Sequence, residues 1–293
     1  MIIPAKCSAI QPPTPLPPPL RHHQKLPLSR RSLLYLSTTL PFSAPLSAAS
    51  TPDISITDRV FLDLSLCPSY FQSRTLGEYD LSLCTDSEPV GRLVLGLYGN
   101  LLPITVSNFK AMCTGSCGSS YKGTLIHKIF PGEYFAAGRQ GRKDKGEVTP
   151  PVRLVRNAET VDSKAFLLEH SRPGVVSLCL SENDDDDDVK LNTDYHNVEF
   201  LITTGPGPCP RLDKNNIVFG SVLEGLDVVT AVASIPTYKP PERIRQYNEF
   251  AEFIGDERAK TARATWNRPL KTLYISDCGE LLVAKPILSP TLP

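Results

Sequence analysis

Residues 121–141 read YKGTLIHKIFPGEYFAAGRQG. Leu125, Ile126, Ile129 and Phe130 enclose one polar pair, His127 and Lys128, and Pro131-Gly132 then turns the chain. An apolar run closed by Pro-Gly predicts a short strand with a hairpin-like break behind it.

Outward from this stretch, β patterning dominates. VFLDLSL at 60–66, YDLSL at 79–83 and GRLVLGLY at 91–98 suit strands, the last closed by Gly99-Asn100. GVVSLCL at 174–180, VEFLITT at 198–204, NIVFG at 216–220 and LKTLYIS at 270–276 continue the pattern. Two short helices are expected beside them. PITVSNFKAMC at 103–113 starts on a proline, with Thr105 or Ser107 as its cap, and LEGLDVVTA at 223–231 is the second. Many short strands with only two packed helices predict a closed or nearly closed antiparallel barrel, because closure removes exposed edges.

The first 50 residues contain no Asp or Glu, but hold Lys6, Arg21, Lys25, Arg30, Arg31 and ten prolines. Such a segment lacks the apolar periodicity to fold and reads as a targeting sequence. Arg30-Arg31 precedes an apolar run and small residues at 47–49, and so resembles a twin-arginine export signal. Behind a proline- and serine-rich basic leader, this looks like the two-part address of a plant thylakoid-lumen protein. A stromal chloroplast address and a disordered basic tail are the competing readings. Without the leader, 26 Lys and Arg face 31 Asp and Glu. That balance disfavours nucleic acid as a partner, since backbone binding needs a basic face. No run reaches 18 apolar residues, so no membrane span is expected.

The segments match a known family in order. EPVGRLVLGLYG, TVSNFKAMCTG, YKG, IHKIFPG, PGVVSL, EFLITT, LDKNNIVFG, VLEGLDVV and the closing ISDCGEL resemble the cyclophilin family of peptidyl-prolyl isomerases, above all its divergent chloroplast members. The resemblance implies a mostly β fold: an eight-stranded closed antiparallel barrel over 55–282, capped by two helices. It implies insertions at 67–78, 181–194 and 236–269, the last helical, and leaves 283–293 as a flexible tail. It further implies proline-containing peptides as substrates, a monomer, and a reaction that needs no cofactor and no metal.

Isomerising an X-Pro bond requires an apolar seat for the ring and hydrogen bonds that favour the twisted amide. The family's signature arginine, thought to donate to the proline nitrogen, is Lys128 here, and His127 beside it is a wall residue rather than a general base. A lysine carries charge and donors but lacks the planar fork. By the resemblance, Tyr134, Leu201 and Leu212 stand at substrate-contacting positions with Glu199, while Phe200 and Phe219 supply apolar surface nearer the core. Glu133, Ala136, Cys179, Leu180, Arg211 and Asn216 depart from the residues the family uses there. The expected activity is therefore a weakened isomerase, the alternative a non-catalytic proline-peptide-binding or assembly protein.

Eight cysteines in 293 residues are too few for a disulfide scaffold, and buried free thiols are expected. A disulfide would suit the lumen, but spacing alone selects no partners. The acidic run 184–188 reads as a solvated loop. In the last insertion, Ile244, Tyr247, Phe250, Phe253 and Ile254 recur at helical spacing up to Gly255. That face is expected to pack on the outside of the barrel, or else to dock a lumenal protein.

Overall fold

The β-rich patterning produces ten strands in the computed structural model, which describes residues 52–68, 84, 86–149, 151–180, 196–282 and 287–288. Eight of them form one antiparallel sheet: β2 (Asp58–Cys67), β3 (Glu88–Leu97), β4 (Ile126–Phe130), β5 (Tyr134–Ala137), β6 (Val175–Leu178), β7 (Phe200–Thr203), β8 (Ile217–Glu224) and β9 (Thr272–Leu281). Their spatial order is β4-β5-β7-β6-β8-β3-β2-β9. The two end strands meet at a seam: Leu125 bridges Tyr274, and the Ile275 amide donates to the Thr124 carbonyl at 2.9 Å. The sheet is thus curled into a nearly closed barrel, as the resemblance implied. A separate ribbon pairs β1 (Ser55–Ile56) with β10 (Ile287–Leu288), so part of the tail expected to be free is held by strand pairing.

Helix α1 (Pro103–Thr114) plugs the barrel with Val106, Phe109, Met112 and Cys113. Phe109 packs against Tyr121, Phe200 and Phe219 at ring distances of 5.3, 5.1 and 4.9 Å. Burial of these rings is the main local driving force, on the order of 2–3 kcal/mol each. The expected cap by Thr105 or Ser107 is replaced by a distant one. The Glu159 carboxylate accepts from the Ile104 amide at 2.9 Å and from the Thr105 amide at 2.8 Å. An acid satisfies orphan amides and the positive end of the helix together. Gly115, at φ +74°, ends the helix in the left-handed region that glycine enters without strain.

Helix α2 (Leu226–Ala233) covers a second face, and the chain then leaves the barrel through the insertion. The insertion's base is a ribbon: the Tyr238 amide donates to the Arg268 carbonyl, and the Asn267 amide to the Tyr238 carbonyl, both at 2.9 Å. Asn267 sits at φ +59°, a conformation asparagine tolerates better than most side chains. At the tip, α3 (Glu242–Phe253) packs on α4 (Glu257–Arg263) through Asn248, which donates to the Ala259 carbonyl at 3.0 Å, and through the Arg263–Glu252 ion pair. No residue of 236–269 belongs to the main core.

The expectation that the α3 apolar face packs onto the barrel is overturned. Ile244, Tyr247, Phe250, Phe253 and Ile254 are all exposed, Phe253 to 86%. The physical reason is that the insertion is bonded to β4 only at its base, while α3, which has no buried residue, is held at the tip by α4 through Asn248 and Glu252. Cys67 and Cys84 form a disulfide across the first insertion, while Cys113, Cys117, Cys179 and Cys209 are buried thiols outside any disulfide. The expected strand at 79–83 and the acidic run 184–188 lie outside the described residues.

Candidate active site

β4 is bulged between Ile126 and Lys128, and this irregularity separates the two polar residues of the opening motif. Lys128 lines a groove of about 630 Å³, with Phe130, Pro131 and Glu133 on the same hairpin. Arg211, Leu212 and Asn215 approach from the loop before β8. The remaining lining comes from the insertion, including Lys239, Arg245 and Trp266. The insertion is anchored here, because the Ile129 amide donates to the Asn267 carbonyl at 2.8 Å. Arg211 is ion-paired with Glu133 on the groove wall.

His127 serves a different cavity, of about 420 Å³, lined by Leu125, Ile126, Tyr238, Leu270 and Thr272 among others. Its Nε2 lies 2.8 Å from Glu199 Oε1, with both side chains largely shielded from solvent. Burial pushes the Glu199 carboxyl up, but the charge and hydrogen bond of His127, backed by Lys128 and Arg139, outweigh it and hold the carboxyl below its ordinary value. With Glu199 ionised, Nε2 is the donor. His127 Nδ1 is buried with no hydrogen-bond partner among the described residues.

The residues expected to touch substrate are mostly closed off. Tyr134 and Leu201 are fully buried, packed with Ala136, Cys179, Cys209 and Leu212 in a small apolar cluster. The Phe130 ring stacks on Tyr134 at 4.6 Å. Leu212 belongs to this cluster and still borders the groove. Phe200 and Phe219 lie in the barrel core, and Glu199 is spent on His127. Tyr134, buried and stacked on Phe130, is thus part of the interior behind the hairpin and not of an open surface.

A second polar network has the hydrogen-bond order of a hydrolase triad. His170 Nδ1 lies 2.8 Å from Asp213 Oδ1, and its Nε2 lies 2.7 Å from Ser177 Oγ. Ser177 and His170 are closed to solvent, so no substrate reaches the hydroxyl. The network ties the loop before β8 to β6. Burial pushes the His170 imidazole down, against the opposing pull of Asp213.

Residues 81–249 match the family described as cyclophilin-type peptidyl-prolyl cis-trans isomerase/CLD. The chain belongs to the cyclophilins. It is 67% identical, over 247 residues, to the chloroplastic peptidyl-prolyl cis-trans isomerase CYP28 of Arabidopsis thaliana, covering 83% of this chain and 88% of that one. It is also 27% identical over 157 residues to the human E3 SUMO-protein ligase RanBP2, a span of 54% of this chain and 4% of that protein. The chain is accordingly a chloroplast cyclophilin, with proline-containing peptides as its substrate class. No helix among the described residues is long and apolar enough to cross a membrane.

Sequence reasoning placed the barrel and the two capping helices. It missed that this cyclophilin's insertion supplies half the groove. The one available signal was Trp266, the single tryptophan of the chain, in an otherwise polar segment.

Proposed function

We propose that this cyclophilin is a peptidyl-prolyl isomerase of reduced activity that assists folding or assembly of proline-containing proteins in the thylakoid lumen. The observation that carries the reading is Lys128 on the wall of the groove, at the position where the family has its arginine. The peptide barrier of about 18–20 kcal/mol is lowered by donors poised for the twisted state. A lysine keeps a donor and a charge there but not the rigid fork, and losing one preorganised donor costs roughly 100- to 1000-fold. The lumenal address is supported by the twin arginines and by the Cys67–Cys84 disulfide, since such bonds persist in oxidising compartments.

A second reading is favoured by the closure of Tyr134 and Leu201: a barrel that holds proline segments without turning them over. One experiment separates the two. NMR exchange on a proline tetrapeptide should show slow but measurable catalysis, and Lys128→Arg should raise it about tenfold, short of full family rates. Binding without any acceleration, in both proteins, would leave only the second reading. The address is tested by replacing Arg30-Arg31 with lysines. Accumulation in the lumen should stop, and the mature N-terminus of the unaltered protein should lie within 49–53.

A further inference from the structure

The groove beside Lys128 has two walls of different origin. The barrel contributes Lys128, Phe130, Glu133, Arg211 and Leu212, and the insertion contributes Lys239, Arg245, Glu249, Arg263 and Trp266. Five cations and two carboxylates therefore face it, in a chain whose formal net charge is zero. Arg211 is paired with Glu133, Arg263 lies 3.0 Å from Glu252, and Arg245 lies 3.7 Å from Glu242. Glu242 and Glu252 lie outside the lining, and the arginines of these pairs are about half exposed or more. Exposed pairs of this kind hold their partners weakly, so a ligand carboxylate competes for the same guanidinium groups. Lys239 is exposed at the rim.

Between these charges lies apolar surface. Trp266 is half-buried, and with Phe130 and Leu212 it offers flat and aliphatic contact of the kind a prolyl ring fits. The wall is held in position. Asn267, the next residue, accepts a hydrogen bond from the Ile129 amide, itself the neighbour of Lys128. The tryptophan and the cations of the insertion are thereby brought against the β4 edge by a covalently short and hydrogen-bonded path.

We propose that the insertion is the specificity wall of this groove, selecting proline segments that carry Asp or Glu beside the proline. The inference rests on the proline-groove reading above and adds the substrate class. Selection comes from long-range attraction to the groove charges, with the ring seated on Trp266 in place of the closed cluster behind Tyr134.

Trp266 makes the test direct, because all tryptophan emission reports on the groove. The full-length protein is titrated with the blocked tetrapeptides Ala-Glu-Pro-Phe, Ala-Lys-Pro-Phe and Ala-Glu-Ala-Phe, followed by fluorescence and repeated by NMR. The Glu-Pro peptide should bind about tenfold tighter than Lys-Pro, with the gap narrowing at high salt. The double variant Lys239→Glu with Arg245→Glu should abolish or invert the preference. Both positions are exposed, so a matching melting curve verifies its fold. Equal binding of the two proline peptides would overturn the specificity wall and leave the isomerase reading intact. Retained acidic preference in the double variant would also overturn it, by moving selectivity elsewhere. Equal binding of Glu-Ala would show a plain anion site and sink the proposal. Failure of every proline peptide to bind would remove the groove reading itself.

Discussion

At the residue scale, the pair formed by His127 and Glu199 shows how one change of neighbours reassigns a motif. Both side chains are shielded, and a buried carboxylate is tolerable only with its charge answered. His127→Ala would leave that charge alone and should cost about 3 kcal/mol at pH 7, read by urea unfolding. The sign against pH follows. Without His127, burial still pushes the carboxyl up and only the charges of Lys128 and Arg139 oppose it, so its folded-state value rises. The ionised carboxylate is the form that loses its partner, so the variant's deficit is largest where Glu199 is charged and should be smaller at pH 4 than at pH 7. A pH-independent deficit would mean the histidine acts by packing alone. Tyr134 argues the same lesson from burial, since its ring is closed off in an apolar cluster with Leu201 and Leu212.

Among the elements, the first insertion and the last behave differently. The first is closed by Cys67–Cys84, 17 residues apart in sequence. A loop of this length is worth about 3 kcal/mol when cross-linked. Cys84→Ser, or reduction, should lower unfolding stability by about that amount while leaving peptide binding unchanged, because neither cysteine lines the groove. An unfolding curve insensitive to reductant would show that the cross-link constrains little of the unfolded chain. The last insertion is anchored at its base and open at its tip. Its helical period was legible from Ile244 to Ile254, and Gly255 does end that stretch at φ +84°. What the period could not tell was the direction of the apolar face, which depends on backbone bonds to β4 made by residues with no apolar signal.

For the whole molecule, acid sensitivity comes from two buried groups with depressed values. Burial holds the His170 imidazole below its ordinary 6.5, and its interactions hold the Glu199 carboxyl below 4.5. In both cases the unfolded chain binds the proton first. Stability is therefore complete above about 6.5, declines as pH falls through the folded value of His170, and declines again below about 4.5. Denaturation midpoints from pH 8 to pH 4 should trace these two steps. His170→Gln should flatten the first and leave the second, whereas a profile flat down to pH 5 would show that His170 is protonated inside the fold.

Local patterning was enough to establish the barrel and its two capping helices. Period-two patterning, turn residues and the ordered motifs are local signals that survive without knowledge of distant contacts. The cap of α1 by Glu159, the Cys67–Cys84 pairing, the burial of Tyr134 and the second wall of the groove emerge only once distant segments are packed together. Each joins segments well apart in the chain, or depends on how much space a neighbour leaves. Such contacts follow from three-dimensional packing and hydrogen-bond geometry, which no spacing along the chain encodes.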